Sequence, residues 1–181
     1  MQKIVLTFGL IGGALLAVMM LATVPFAEQI GFDKGAYIGY TTMVLAFLMV
    51  YFGVQSYRDN VAGGSISFGQ ALKVGALISF VIMVCYVATW QVMYYNFMPD
   101  FMDRYAAYSL EQARLSGASP DQIAAQAKDM REFGEMYKNP LVNIAFTFLE
   151  PLPVGLVFTL VTAGILSRKR SPSGDAAAVA R

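Results

Sequence analysis

Residues 4–26 read IVLTFGLIGGALLAVMMLATVPF and contain no charged side chain. A helix needs about 20 mostly apolar residues to cross a bilayer, and this run is long enough. Three more runs share this character: residues 36–57 are uncharged, residues 71–98 contain only Lys73, and residues 141–166 contain only Glu150. Because a backbone in hydrocarbon must satisfy its own hydrogen bonds, each run is expected to be helical. The sequence therefore predicts an all-α polytopic membrane protein with four transmembrane helices.

The first run has a signal peptide as its alternative interpretation, because Lys3 precedes it. It is, however, longer than the roughly 7–15 apolar residues of a secretory signal. The following residues, PFAEQ at 25–29, also lack an A-x-A cleavage pattern. We expect the run to remain as a membrane anchor.

The composition excludes several function classes. Apolar residues make up 57% of the chain and charged residues 14%, against about 25% charged in soluble domains. The net charge of +1 provides no basic surface for nucleic acid. The chain has no histidine and a single cysteine, Cys85, so we expect no catalytic residues, no metal site and no cofactor.

The largest polar region, residues 99–140, separates the third and fourth runs. Gly117 is a suitable helix stop, and Ser119 with Gln122 forms a capping-box pattern for a second helix. Aromatic and aliphatic residues recur at helical spacing in the first half: Phe101, Tyr105, Tyr108 and Leu115. The region is expected to be a helical hairpin on the bilayer surface, either capping the bundle or docking a partner. Its helices should pack their apolar stripes onto each other or onto the ends of the membrane helices.

Basic residues predict the orientation. The two termini and the loop after the second run hold six lysines and arginines, whereas the loop at 27–35 holds only Lys34. Counting the hairpin makes the two sides equal, but the dense cluster at 168–170 adjoins a membrane helix, where such charges act most strongly. We therefore expect cytoplasmic termini and an extracytoplasmic hairpin. Residues 1–170 should form one membrane domain, and residues 171–181 a disordered cytoplasmic tail.

Small residues recur at intervals of four in every run. Such patterns let helices approach closely in lipid, either within one bundle or between two copies of the chain. They are Gly9, Gly13 and Ala17; Gly35 and Gly39; Ala71, Gly75 and Ser79; and Gly155, Thr159 and Ala163.

Glu150 is the one acid within a predicted span. Counted from residue 141 it lies about 14 Å into a hydrocarbon core of about 30 Å, where ionisable residues are costly and functional by default. Asn143 and Thr147 share its helix face, and prolines at 151 and 153 interrupt the helix beside it. A carboxylate at a broken helix resembles the ion sites of transporters.

The third run offers Gln91 and Thr89 at a depth similar to that of Glu150. No cationic side chain is expected there. One interpretation is a neutral Glu150 hydrogen-bonded to Gln91 with a purely structural role. The other is a site that handles protons or substrate.

Five segments together resemble the domain of unknown function 4199 family of small bacterial membrane proteins. They are YFGVQSYRDNVAGGSISFGQALKVG (51–75), MPDFMDRY (98–105), GAS (117–119), EMYKNP (135–140) and FLEPLPVGLVFTLVTAGILSRKR (148–170). The resemblance covers most of the chain and implies a four-helix protein of the bacterial cytoplasmic membrane without an established activity. It places these residues at motif positions: Tyr57, Arg58, Asp59, Gly64, Ser67, Phe68, Glu150, Pro153 and Gly155. Pro151 departs from the family pattern.

Three functions follow as expectations. The first is a non-enzymatic accessory or structural membrane protein whose partners are the bilayer and either a second copy or another membrane protein. The second is a small oligomeric proton-coupled transporter or channel that uses Glu150. The third, a membrane enzyme, has the least support because the sequence shows no nucleophile–base pair.

Overall fold

The computed structural model describes residues 1–168 and is helical throughout, without a β-strand in that range. Its elements are α1 (Gln2–Thr23), a 3-10 turn (Val24–Phe26), α2 (Ala27–Asn60), α3 (Phe68–Asn96), α4 (Phe101–Leu115), α5 (Pro120–Tyr137), α6 (Pro140–Leu149) and α7 (Leu152–Leu166). The predicted all-α class is confirmed. Three helical segments are long and apolar enough to cross a membrane: Gln2–Asn60, Phe68–Asn96 and Pro140–Leu166. The predicted tail at 171–181 lies outside the described residues, as do Lys169 and Arg170.

The first of these segments is folded back on itself. Its 59 residues would extend about 88 Å as one straight helix, nearly three times the hydrocarbon thickness. Instead, Phe8 packs beside Gly53 and Gly12 beside Ala46, so α1 and α2 are antiparallel. Gly31, with φ 70° and ψ 173°, interrupts the helical geometry close to the reversal. Only glycine adopts that conformation without steric cost.

The second helix begins earlier than the sequence indicates. We expected it at residue 36, but α2 starts at Ala27, and its regular helical geometry resumes at Phe32 after the kink at Gly31. The prediction was wrong because the charged residues at 28–34 mark a change in polarity, which does not coincide with the end of the helical backbone.

Close contacts between helices depend on small residues. A Cβ atom on Gly9 would lie 2.6 Å from the Cβ of Val81, and one on Gly13 would lie 2.5 Å from the Cβ of Cys85. The glycines of α1 therefore let its backbone approach α3. Gly155 of α7 is similarly close to the ring of Phe47. These glycines are used within a single chain.

The glycines at the start of α2 behave differently. A Cβ on Gly39 would meet no atom within 4 Å, and the nearest atom to one on Gly35 would be 3.9 Å away. This pair therefore does not support close helix packing within the single chain. Both residues border an open cleft, described below.

The core lies where α2, α3 and α7 meet. Its largest fully buried side chains include Phe47, Ile78 and Ile82. Outward-facing residues of α1, α3 and α7 are also apolar, as lipid contact requires: Leu10, Val18, Phe80, Val157 and Leu160 are all at least half exposed.

The capping box predicted at Ser119 is confirmed, and a second one begins α3. The Ser67 hydroxyl accepts the backbone N–H of Gln70 at the start of α3, and the Ser119 hydroxyl accepts that of Gln122 at the start of α5. Gly117, with φ 82°, ends the preceding helix. Residues 99–140 therefore contain two helices, α4 and α5, which pack against each other.

The aromatic stripe of α4 packs onto the start of α2. The ring of Phe32 contacts those of Phe101, Tyr105 and Tyr108, with centroid distances of 5.0 to 5.8 Å. This agrees with the expectation that the stripe contacts the end of a membrane helix. The contact fixes α4 above one end of the bundle.

Candidate functional site

A cleft of about 1180 Å³ lies at the end of the bundle where α1 ends and α2 begins. The second half of α3 and the first half of α4 form its opposite wall. Tyr137, Thr147 and Glu150 contribute from α5, α6 and the junction between α6 and α7. Most of the cleft is apolar and aromatic, so the few polar atoms that reach it decide its chemistry.

Glu150 lies where α6 and α7 join. Glu150 and Pro151 keep right-handed helical angles, with φ/ψ of −63°/−54° and −78°/−10°. The interruption is therefore one of hydrogen bonding: Pro151 has no N–H for the carbonyl of Thr147, and Pro153 has none for that of Leu149. The predicted interruption is thus present, and it leaves acceptors beside an acidic side chain.

The Glu150 carboxylate is exposed to the cleft, and its Oε2 accepts a hydrogen bond from the Tyr86 hydroxyl at 2.6 Å. Tyr86 is a residue of α3, as expected of the partner, but the expected partners were Gln91 and Thr89. The Thr89 hydroxyl instead donates to its own helix, at the carbonyl of Cys85. The Gln91 amide donates to Asn143 Oδ1 at 2.6 Å.

Tyr86 was not predicted as the partner of Glu150 because the depth of a Cα position does not give the position of a long side chain's end. A phenol hydroxyl lies far from its own Cα and reaches a neighbouring turn. The signal was present, since a tyrosine in an otherwise apolar transmembrane run needs a partner for its hydroxyl.

A second polar network lies in the wall of the cleft and joins three helices. Trp90 Nε1 donates to the Tyr137 hydroxyl at 3.0 Å. Tyr137 lies 3.4 Å from the Thr147 hydroxyl, which donates to the carbonyl of Asn143 at 2.8 Å. Each hydroxyl has one proton to donate. Trp90 therefore donates to Tyr137, Tyr137 to Thr147, and Thr147 to the carbonyl of Asn143. Thr147 and Asn143 are buried, whereas Glu150 is not.

Asn143 is fully buried, and its Nδ2 has no hydrogen-bond partner among residues 1–168. Its Oδ1, by contrast, accepts from Gln91 and lies 3.3 Å from the Thr147 hydroxyl oxygen. The structure thus brings Gln91, Asn143 and Thr147 into one network and places Glu150 in the cleft with Tyr86. Thr89 takes part in neither group.

Burial raises the pKa of the Tyr137 phenol, and its hydrogen bonds with Thr147 and Trp90 oppose that effect only partly. The Glu150 carboxylate raises the pKa further. Tyr137 is therefore protonated at neutral pH and able to donate to Thr147.

Four polar side chains lie at the mouth of the cleft, and none of them was predicted from the sequence to belong to a site. The Tyr108 hydroxyl donates to Asp33 Oδ1 at 2.5 Å, and this bond raises the pKa of the phenol. Arg104 lies 3.9 Å from Glu28. The acids at 28 and 33 could not be assigned to a site because only the reversal near Gly31 brings them beside α4.

The other motif residues lie mainly around the loop at the opposite end of α2. Arg58 is buried and makes two bonds to Asp59, with Nε to Oδ1 at 2.7 Å and Nη2 to Oδ2 at 3.2 Å. Gly64, with φ 86°, donates its N–H to the carbonyl of Arg58. Ser67 caps α3. These residues shape a turn and have no contact with Glu150.

The remaining motif residues lie in the core, on the surface or at a close contact between helices. Tyr57 packs against the core, and its carbonyl accepts two backbone N–H groups at the end of α2. Phe68 and Pro153 are exposed, and Gly155 packs against Phe47. Within the described part of the chain, no group of three or more His, Cys, Asp or Glu side chains is arranged to hold a metal ion.

Comparison with known proteins gives one result. The pattern of a family described as "Protein of unknown function (DUF4199)" matches residues 7–168. Neither curated proteins nor solved structures include a match to the chain. The matched residues cover every helix described above, from α1 to α7, as well as the cleft. The chain belongs to the DUF4199 family.

Proposed function

We propose that this chain is a four-span protein of the bacterial cytoplasmic membrane that acts as a non-enzymatic accessory component by binding a ligand in the cleft. The observation that carries the binding role is the Glu150 carboxylate, exposed in a cleft of about 1180 Å³ and oriented by Tyr86. An ionisable group in an apolar membrane bundle is costly, and a ligand that interacts with it is the simplest reason for its position.

The antiparallel arrangement of α1 and α2 supports four spans. At about 1.5 Å per residue, the 22 residues of α1 and the 34 of α2 each exceed the hydrocarbon thickness of about 30 Å. The distribution of basic residues supports cytoplasmic termini. In that orientation α4, α5 and the mouth of the cleft lie on the extracytoplasmic side.

Gly39 provides a direct test of ligand binding. It borders the cleft, and an added side chain would meet no atom within 4 Å, so Gly39→Leu should fill space without disturbing the fold. Gly164 of α7 is equally unobstructed and lies outside the cleft, so Gly164→Leu is the matched control.

Native mass spectrometry of protein extracted from its own membrane in mild detergent should detect a small molecule bound to the wild type and to Gly164→Leu. Its occupancy should fall at least severalfold in Gly39→Leu. Equal occupancy in the two variants, or no bound molecule in the wild type, would contradict the binding role.

The second candidate function is proton-coupled transport by an oligomer. It is supported by the pairing of Glu150 with Tyr86 beside carbonyls that Pro151 and Pro153 leave without helical donors. In proteoliposomes containing a pH-sensitive dye, the wild type would carry a proton flux. Glu150→Gln would fold normally and carry none, whereas a purely accessory protein would show no flux in either form.

A further inference from the structure

We infer that the cleft selects a bulky hydrophobic organic cation, such as a quaternary ammonium or phosphonium ion. The inference rests on the proposed binding role and specifies the chemistry of the ligand. It follows from the charge of Glu150, from the residues around it and from the hydrogen bonds that they already make.

The first observation is the charge of the side chains that line the cleft. In the part of the chain that the structure describes, no lysine or arginine nitrogen comes within 4 Å of the Glu150 carboxylate. The basic residues that line the cleft are Lys34 and Arg104, and Arg104 lies near the acid Glu28. With Asp33 included, the cleft carries three carboxylates and two basic groups. It therefore favours a cation over an anion.

The second observation is the aromatic lining of the cleft that contains Glu150. Tyr40, Tyr86, Trp90, Tyr105 and Tyr137 line the cleft from four helices. The π faces of such rings attract cations, and the attraction increases when the cation is desolvated. A carboxylate in a cleft lined by aromatic rings matches an organic cation better than a strongly hydrated metal ion.

The third observation is hydrogen bonding. The Tyr86 hydroxyl donates to Glu150, the Trp90 N–H to Tyr137, and the Tyr137 hydroxyl lies next to Thr147. Because these polar atoms already have partners, their side chains offer a ligand mainly ring surface. The part of the wall formed by Tyr86, Trp90 and Tyr137 suits a cation whose charge is covered by carbon groups and which needs no hydrogen bond.

The fourth observation is size. The cleft volume of about 1180 Å³ is above the range of roughly 300–1,000 Å³ common for small-molecule sites. A ligand that fills the cleft must therefore be bulky. Simple amines and metal ions would leave most of the cleft empty.

Trp90 provides the measurement because it is the only tryptophan of the chain and lines the cleft. Tetraphenylphosphonium and tetraphenylborate serve as probes, since they have nearly the same shape and opposite charge. Purified protein in detergent is titrated with each ion, and Trp90 fluorescence is recorded. Glu150→Gln removes the charge at the site, and Glu132→Gln, on α5 and outside the cleft, removes a charge elsewhere.

We expect tetraphenylphosphonium to change Trp90 fluorescence saturably in the wild type and in Glu132→Gln. Its Kd should rise about tenfold or more in Glu150→Gln, since a desolvated cation would lose its counter-charge. Binding should also weaken in Gly39→Leu, which provides a second variant if Glu150→Gln does not fold. Gel filtration and thermal unfolding establish whether each variant is folded.

Tetraphenylborate binding as tight as that of the phosphonium would overturn the inference. So would an absence of saturable phosphonium binding, or an unchanged Kd in folded Glu150→Gln. A neutral or anionic molecule lost only from Gly39→Leu in the native mass spectrometry would contradict this inference and support the binding role. Phosphonium binding that depends on Glu150, without any molecule from the native membrane, would support the cation chemistry and contradict the proposed function.

Discussion

At the scale of single residues, one hydroxyl connects three helices. Tyr137 of α5 accepts from Trp90 of α3 and lies within donating distance of Thr147 of α6. Its removal would leave a tryptophan N–H without a partner at a mostly buried position. This oxygen atom therefore contributes to the fit of α5 onto the bundle, together with the ring contacts of Tyr137 with Tyr94 and of Phe133 with Phe146.

Tyr137→Phe is expected to reduce the free energy of unfolding by about 1–3 kcal/mol, the cost of buried polar groups without partners. Thermal unfolding in detergent measures the change. Tyr105→Phe is the control, because the Tyr105 hydroxyl makes no hydrogen bond within residues 1–168 and the side chain is 38% exposed. Equal effects of the two substitutions would show that the network does not stabilise the fold.

Glu150→Gln should leave stability nearly unchanged, within about 1 kcal/mol, because the amide oxygen still accepts from Tyr86 and the position is exposed to the cleft. The same thermal unfolding experiment measures it. A variant that fails to fold would instead indicate that the charge of Glu150 has a structural role.

At the scale of helices, α1 and α3 contact each other through glycine. Gly13→Ala would place a methyl group 2.5 Å from the Cβ of Cys85, so α1 must shift, at a cost of about 1–3 kcal/mol. Gly164→Ala, where nothing lies within 4 Å, should be neutral or stabilising by up to about 1 kcal/mol. Unfolding of both variants under the same conditions tests this, and a neutral Gly13→Ala would contradict the close packing.

The features that the sequence predicted correctly are local. Ser67 with Gln70, and Ser119 with Gln122, specify helix starts through bonds between residues three apart, so the printed sequence contains the whole interaction. The apolar runs likewise predict helices because lipid admits no other single-chain backbone except a closed barrel. These features could be predicted because they depend only on residues that are close together in the sequence.

The features that the sequence did not predict depend on how the chain turns. The contact between Tyr86 and Glu150 joins residues 64 apart, and it depends on the reach of a phenol and the rotation of two helices about their axes. The cleft exists because the start of α2 leaves the bundle near Gly31, and nothing local distinguishes this glycine from the others. The sequence therefore predicted a polar site at Glu150 but could not predict the cleft beside it.

At the scale of the whole molecule, the proposed four spans make a labelling prediction. In a Cys85→Ala background, cysteines placed at 116–119, between α4 and α5, should react with a membrane-impermeant maleimide in intact cells. A cysteine in the loop at 61–66, between α2 and α3, should react only after the membrane is opened. The reverse pattern would overturn the orientation, and labelling of both loops from outside would contradict four spans.

The central claim is that Glu150 lies in a cleft that ligands can enter, and carbodiimide labelling tests it most directly. A hydrophobic carbodiimide that couples to membrane carboxyl groups is applied to the folded protein, and the peptide containing Glu150 is quantified by mass spectrometry. We predict modification of Glu150 in the wild type and in Gly164→Leu, and at least severalfold less in Gly39→Leu. Equal modification in both variants, or none in the folded wild type, would contradict the claim.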